Sequence, residues 1–133
     1  GRTGTVTTVV DASALAAVVY REPEHPAVSG RLAGAGTLCA PTLLPYEMAN
    51  VCRIKARRHP DLEALLEAQF EGFLKLDIDY VTPDFTAASV LARRHGLTVY
   101  DAAYLWLALV HGAPLVTLDR QLDDAWRRAG SPD

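Results

Sequence analysis

Four acidic residues stand where a carboxylate is costly unless something uses it. Asp11 closes the β-branched run VTTVVD, and Asp119 closes a second apolar run, LVTLD. Asp101 opens the otherwise apolar stretch TVYDAAYLWLALVHG. Glu47 lies inside LLPYEMANVCRIKARR, in helical register with Leu43, Asn50, Val51 and Ile54, a mostly apolar face. No Lys or Arg occupies a position three or four residues away on that face. Carboxylates held against core-forming sequence need a partner. Several of them in one place repel strongly in a low dielectric. Oxygen-only ligands of this kind suit a hard divalent cation, Mg²⁺ or Mn²⁺. Each acid taken alone has a plainer reading. Asp11 and Asp119 are good N-caps for a following helix. Asp101 completes a capping-box pattern with Thr98, and Glu47 on a slightly rotated helix would face water. Convergence is what separates the two readings, and it depends on the elements that carry the acids.

The expected elements alternate. TVTTVVDAS reads as a buried strand leading into the helix ASALAAVVYRE, and PAVSGRLAGAG as a second short helix. TLCAP is a strand. TLLPYEMANVCRIKARR is a helix with Thr42 as its cap and Pro45 in the first turn. PDLEALLEAQFEGFLKL is an amphipathic helix with Leu62, Leu65, Leu66, Gln69, Phe70, Phe73 and Leu74 on one side. DIDYVTP is a strand. PDFTAASVLARRHGL is a helix stopped by Gly96, with Leu97 placed for a Schellman contact. The TVYDAAYLWLALVHG helix stops at Gly112, APLVTLD is a strand, and RQLDDAWRRAG is the last helix. Strands alternating with helices imply an α/β fold with a central, mainly parallel sheet covered on both faces. In such a sheet all strand C-terminal ends share one edge, and ligands bind outside it. Asp11 and Asp119 should lie on that edge, with Asp101 joining them from a helix N-terminus.

Size and charge narrow the rest. A chain of 133 residues is expected to form a single domain spanning 1–133. The opening GRTG, residues 1–4, lacks an initiator Met and is expected to be an expression remnant or a processed start outside the fold. No apolar run approaches the ~20 residues of a membrane span, and no basic segment precedes an apolar one at the start. The two cysteines, Cys39 and Cys52, fit neither a zinc knuckle nor a CxxC pair. Free thiols in a reducing cytoplasm are the expectation. The net charge of −3 excludes a broadly basic nucleic-acid surface, so contact with nucleic acid must be local or counter the phosphates with metal ions.

VVDASAL, PYEMANV, TVYDAAYLWLA and LVTLDRQL together resemble, in order and spacing, the sequence blocks of PIN-domain ribonucleases, above all the VapC-like toxins of type II toxin–antitoxin modules. The resemblance runs from residue 6 to about residue 129. It implies a PIN-like three-layer α/β/α domain. Asp11, Glu47, Asp101 and Asp119 become the catalytic, metal-binding set, with Mg²⁺ or Mn²⁺ as cofactor. Ser13, Asn50 and Thr117 match the supporting polar residues of the first, second and last blocks. The implied activity is endoribonucleolytic: bound divalent metal polarises a phosphodiester and activates a water that attacks phosphorus. The implied partners are RNA, a VapB-like antitoxin and a second copy of the chain, with DNA met only through the antitoxin. A non-toxin PIN nuclease and a non-catalytic PIN-like scaffold are the alternatives.

Arg53, Arg58 and Arg93 are candidates for guiding RNA to an acidic rim, as are Lys55, Arg57, Arg94, Arg127 and Arg128. Each has a plainer role as a solvated or helix-end charge. Asp123 lies one helical turn past Asp119 and reads as a solvated face. His95 and His111 sit in last turns, where they complement the helix dipole, and His25 and His59 sit beside prolines in turns. Trp106 and Trp126 read as core or interface. Phosphoacceptor domains also place an Asp after the first strand. A haloacid-dehalogenase-like enzyme would need a second Asp at position 13, where Ser13 stands, and a receiver would need a late Lys, where the chain has Asp119 and Arg120.

Overall fold

The computed structural model describes residues 6–130; the expected remnant at 1–4 lies outside the described residues. Four strands form one sheet: β1 (Thr7–Val10), β2 (Thr37–Pro41), β3 (Ile78–Val81) and β4 (Leu115–Val116). They lie in the order β3-β2-β1-β4, and every pairing is parallel. Among the described residues seven helices connect and follow them: α1 (Ala12–Val19), α2 (His25–Leu32), α3 (Leu44–Arg58), α4 (Glu63–Leu74), α5 (Phe85–His95), α6 (Val99–His111) and α7 (Arg120–Gly130). A 3₁₀ turn at Pro60–Leu62 joins α3 to α4. Helices α1–α4 pack together on one side, while α6 crosses β1, β2 and β4 on the other with α5 and α7 beside it. This is the expected three-layer α/β/α architecture. None of the described helices is long and apolar enough to cross a membrane.

The strand order places the site. The chain runs from β1 outward to β2 and β3, then returns across to β4 on the other flank of β1. The direction of winding therefore switches between β1 and β4, and a crevice opens there outside the strand C-terminal ends. Asp11 follows β1 directly, and Thr117 and Asp119 follow β4. Register holds the two strands level, with Val9 against Leu115 and Val10 against Val116.

Burial makes this edge rigid. Val9, Val10, Leu15, Leu44, Met48, Phe73, Tyr104, Leu105, Leu107, Leu115 and Leu122 form one core across both faces of the sheet. The apolar helix α6 is inside from Ala102 to Ala108, and its ends, Val99 and Tyr100 at the start and Val110 and His111 at the finish, are exposed. Gly96 and Gly112 both adopt left-handed φ and end α5 and α6. In each case the next residue closes a Schellman bond, Leu97 N–H to the Ala92 carbonyl and Ala113 N–H to the Ala108 carbonyl, both within 3.0 Å. Gly36, with φ +71°, leads into β2, and any Cβ there would collide with the Val6 carbonyl that Thr37 N–H pairs with.

Four local expectations shift. Thr42 is not the cap of α3: its N–H donates to the Val81 carbonyl at 3.1 Å, which extends the β2–β3 ladder, and the helix starts from Leu43 with no side-chain cap. The buried face of α3 is Leu44, Met48 and Cys52, which leaves Asn50 and Ile54 exposed and Glu47 on its flank. On α4 only Leu66 and Phe73 are buried; Leu62, Leu65 and Leu74 are exposed, because α4 packs on α1 and α3 and not over the sheet. His25 opens α2 and does not sit in a turn. Cys39 and Cys52 are free and buried, as expected.

Candidate active site

Asp11 is the anchor. It is 4% exposed, and both its oxygens are used. Oδ1 accepts from the Ala14 N–H at 3.0 Å, which caps α1, and from Ser13 Oγ at 2.8 Å. Oδ2 accepts from Thr117 Oγ1 at 2.6 Å, a bond across 106 residues that the β1–β4 pairing makes possible. The two hydroxyls are themselves aimed from behind. Ser13 Oγ accepts from Leu118 N–H at 2.9 Å, and Thr117 Oγ1 accepts from Asp119 N–H at 2.9 Å. Asp119 in turn caps α7 through Leu122 N–H at 2.9 Å. The capping role and the clustering role, alternatives in the sequence, are both filled by Asp11 and Asp119.

Asp101 and Glu47 arrive from the other side. Thr98 caps α6 by accepting from the Asp101 N–H at 3.1 Å, which fixes Asp101 in the first turn at the crevice. Glu47 lies in the first turn of α3, and its Oε1 accepts from the Tyr104 hydroxyl at 2.7 Å. Tyr104 is one helical turn beyond Asp101 on the same face of α6, so one helix supplies an acid and positions a second. Sequence reasoning missed Tyr104, which reads as core and is in fact buried.

The acids feel one another. Burial raises the Asp11 carboxyl above the ordinary carboxylate range; the Thr117, Ala14 and Ser13 hydrogen bonds oppose this and the Asp119 charge adds to it. Burial raises Asp101 as well, with Asp119 and Asp11 adding and Thr98 opposing. Glu47 is raised first by burial, a rise the Tyr104 hydroxyl opposes, and then by Asp11 and Asp101. Tyr104 itself is pushed far up by burial and by the Glu47 charge, so it stays a donor. Mutual repulsion among half-buried acids is a penalty that a divalent cation removes.

The donor set fits such a cation in one way. Among the described residues no three acidic, His or Cys side chains stand as a ready-made cage. Glu47 is held by Tyr104, and Asp11 by three donors. Mg²⁺ does not require a cage: it keeps several waters and binds through one or two carboxylates together with substrate phosphate.

A cleft of about 500 Å³ opens beside the acids, lined by Ser13, Glu22, Glu24, Glu47, Asn50 and Leu118 among others. Asn50 therefore borders Glu47 but is exposed. Of the basic candidates, Lys55 is engaged with Glu22 at 2.7 Å. Arg53 and Arg58 are exposed along α3, and Arg58, eleven residues past Glu47, ends up roughly 16 Å down the helix. Arg93 is in the last turn of α5, an end tied to α7 by Gln121 Nε2 donating to the Gly96 carbonyl at 2.7 Å. Asp123 pairs with Arg127 at 2.8 Å on α7. Arg31 was not foreseen. Its Nη1 donates to the Thr117 carbonyl at 3.2 Å, holding a cation against the segment between β4 and Asp119. No sequence signal marks a contact made across 86 residues.

A parallel α/β domain with carboxylates gathered at its switch point is the class that fold and site define. The PIN domain profile matches residues 8–127, and the chain belongs to the PIN-domain family. It is 37% identical over 128 residues to ribonuclease VapC3 of Pyrobaculum aerophilum, covering 93% of this chain and 98% of that protein. The crystal structure of PAE2754 from Pyrobaculum aerophilum superposes with a TM-score of 0.74 at 26% identity, covering 96% of this chain and 89% of that one.

Proposed function

We propose that the protein is an endoribonuclease dependent on Mg²⁺ or Mn²⁺ that serves as the toxin of a toxin–antitoxin module. One observation supports the reading: Asp11 feels the charge of Asp119, Asp101 feels both, and Glu47 feels Asp11 and Asp101, in a chain alike along its length to a VapC ribonuclease. The four acids would hold the cation. When bound, it supplies Lewis acidity toward a phosphodiester oxygen and a water of lowered pKa. The chain's own residues do the rest. Asp11 is fixed by Ser13, Ala14 and Thr117, which leaves Oδ2 with one acceptor site for the cation. Tyr104 holds Glu47 in its rotamer by donating to Oε1. Carboxylates turned toward the phosphate are placed to orient the water for in-line attack and to accept its proton. Asn50 borders the cleft, and Arg31, Arg53, Arg58 and Arg93 are the cations available to RNA phosphates.

In this reading a VapB-like antitoxin silences the enzyme by laying a basic side chain toward the acids. Two copies of the toxin pair, DNA is met only through the antitoxin, and the action is cytoplasmic. Incubating the purified chain with unstructured and structured RNA tests the activity. Cleavage in Mg²⁺ or Mn²⁺ that EDTA abolishes is the expected result. Intact RNA under every metal, from a well-folded chain, overturns the reading. Gel filtration and co-purification test the assembly: a persistent monomer with no partner contradicts the toxin role.

A further inference from the structure

A second hollow lies beside the acids, where the start of α3, the segment before α5 and the first turn of α6 meet. It measures about 370 Å³ and is lined by Thr42, Leu43, Tyr46, Phe85, Val99 and Tyr100 among others. Its size falls at the lower end of the range for small-ligand sites, about 300–1,000 Å³. Tyr46 is 81% exposed, Phe85 68% and Tyr100 66%. Single exposed apolar side chains are ordinary, but three aromatics around one concavity mark a binding surface. No charged side chain lines it. None of the four acids lines it, but two of its residues flank them in the chain: Tyr46 directly precedes Glu47 and Tyr100 directly precedes Asp101.

We propose that this hollow receives one unpaired nucleobase of single-stranded RNA, from the nucleotide next to the phosphodiester cleaved at the acids. The proposal rests on the ribonuclease reading above. A base has flat π faces and a polar edge. The aromatic rings supply stacking surfaces, and the hydroxyls of Tyr46, Tyr100 and Thr42 supply partners for the edge. A phosphate would need a cation in the lining, and none is there. Its place one residue from two of the acids, on α3 and on α6, points to the nucleotide next to the reacting phosphate. Duplex RNA keeps its bases stacked inside, so a site of this kind selects loops and single strands.

The test compares cleavage of a short single-stranded oligoribonucleotide with cleavage of the same strand made abasic beside the scissile bond. Wild type, Phe85→Ala and Phe85→Trp are each assayed with both, and light scattering gives the solution mass of each variant. The expected result is a rise in KM of about tenfold for Phe85→Ala on the intact strand, within the roughly 5- to 150-fold worth of one stacked base. Phe85→Trp restores it, and on the abasic strand Phe85→Ala costs nothing further. Equal cleavage of both strands by wild type and Phe85→Ala overturns the base site and leaves the ribonuclease reading standing. A lower solution mass for Phe85→Ala, with KM loss equal on both strands, makes the hollow a contact between copies and overturns it too. A folded wild type that cleaves no RNA removes the ribonuclease reading and the base site with it.

Discussion

The two halves of the acid rim are built differently. On the β1–β4 side, Asp11 and Asp119 each cap a helix, and the Ser13 and Thr117 hydroxyls bridge them into one network. On the helical side, Asp101 and Glu47 cap nothing, and a single phenol, Tyr104, steadies Glu47. The first half is part of what folds the domain, and the second caps no helix. Substitutions on the two sides should therefore separate stability from activity.

The largest effect is expected from Asp101→Asn. If the proposed cation site is right, it removes one of the charges that hold the metal, and RNA cleavage should fall on the order of 10²- to 10³-fold. Its melting temperature should match or exceed that of wild type, since Asp101 is held against repulsion from Asp119 and Asp11. Asp11→Ala should lose activity just as far but also lose about 1–3 kcal/mol in denaturant titration. It deletes the α1 cap and strands the hydroxyl donors of buried Thr117 and half-buried Ser13. If both variants melt alike, the contrast between the two halves is wrong.

Tyr104→Phe sharpens the helical side. It frees Glu47 while keeping the ring in the core. We expect a roughly 10-fold loss of activity or Mn²⁺ affinity and a stability change of about 1 kcal/mol.

Next comes pH. The folded-state pKa values of Asp11, Asp101 and Glu47 are raised above model values of 3.8, 3.8 and 4.5. A carboxyl with a raised folded pKa binds more protons folded than unfolded, so its contribution is fully present below the unfolded pKa. It is lost as pH rises through the folded pKa. The metal-free chain should thus lose stability from these groups as pH climbs from about 4 toward neutrality. Melting curves of wild type against Asp101→Asn should show the variant with the shallower fall, and Mg²⁺ should flatten the wild-type fall. The smallest effect is Arg31→Ala: a KM rise of a few fold and a salt slope reduced by about one, with kcat unchanged.

Much of this was legible before folding. VTTVVD announces a buried strand running straight into an acid; LVTLD announces another, but β4 stops at Val116 and Asp119 comes three residues later, and parallel pairing then puts both acids at one edge. Gly96 and Gly112 mark their helix ends because only glycine takes the left-handed turn freely. The losses have physical causes. Thr42 looks like a cap, but the β2–β3 ladder claims its N–H first. The inward face of α3 was read one position off, since Pro45 hides where the helix begins. Leu65 and Leu74 fit an amphipathic pattern whose packing partner is only the narrow surface of α1 and α3. Tyr104 is hidden by its own apolar helix, and Arg31 by the distance in sequence to Thr117.

Calorimetric titration of Mn²⁺ into the wild-type chain and into Asp101→Asn tests most directly whether the four acids form one cation site. The account predicts saturable binding to the wild type that Asp101→Asn weakens at least 10-fold, with folding unchanged. No binding to the wild type, or equal binding to both, would contradict it and leave the acids as helix caps on a PIN scaffold.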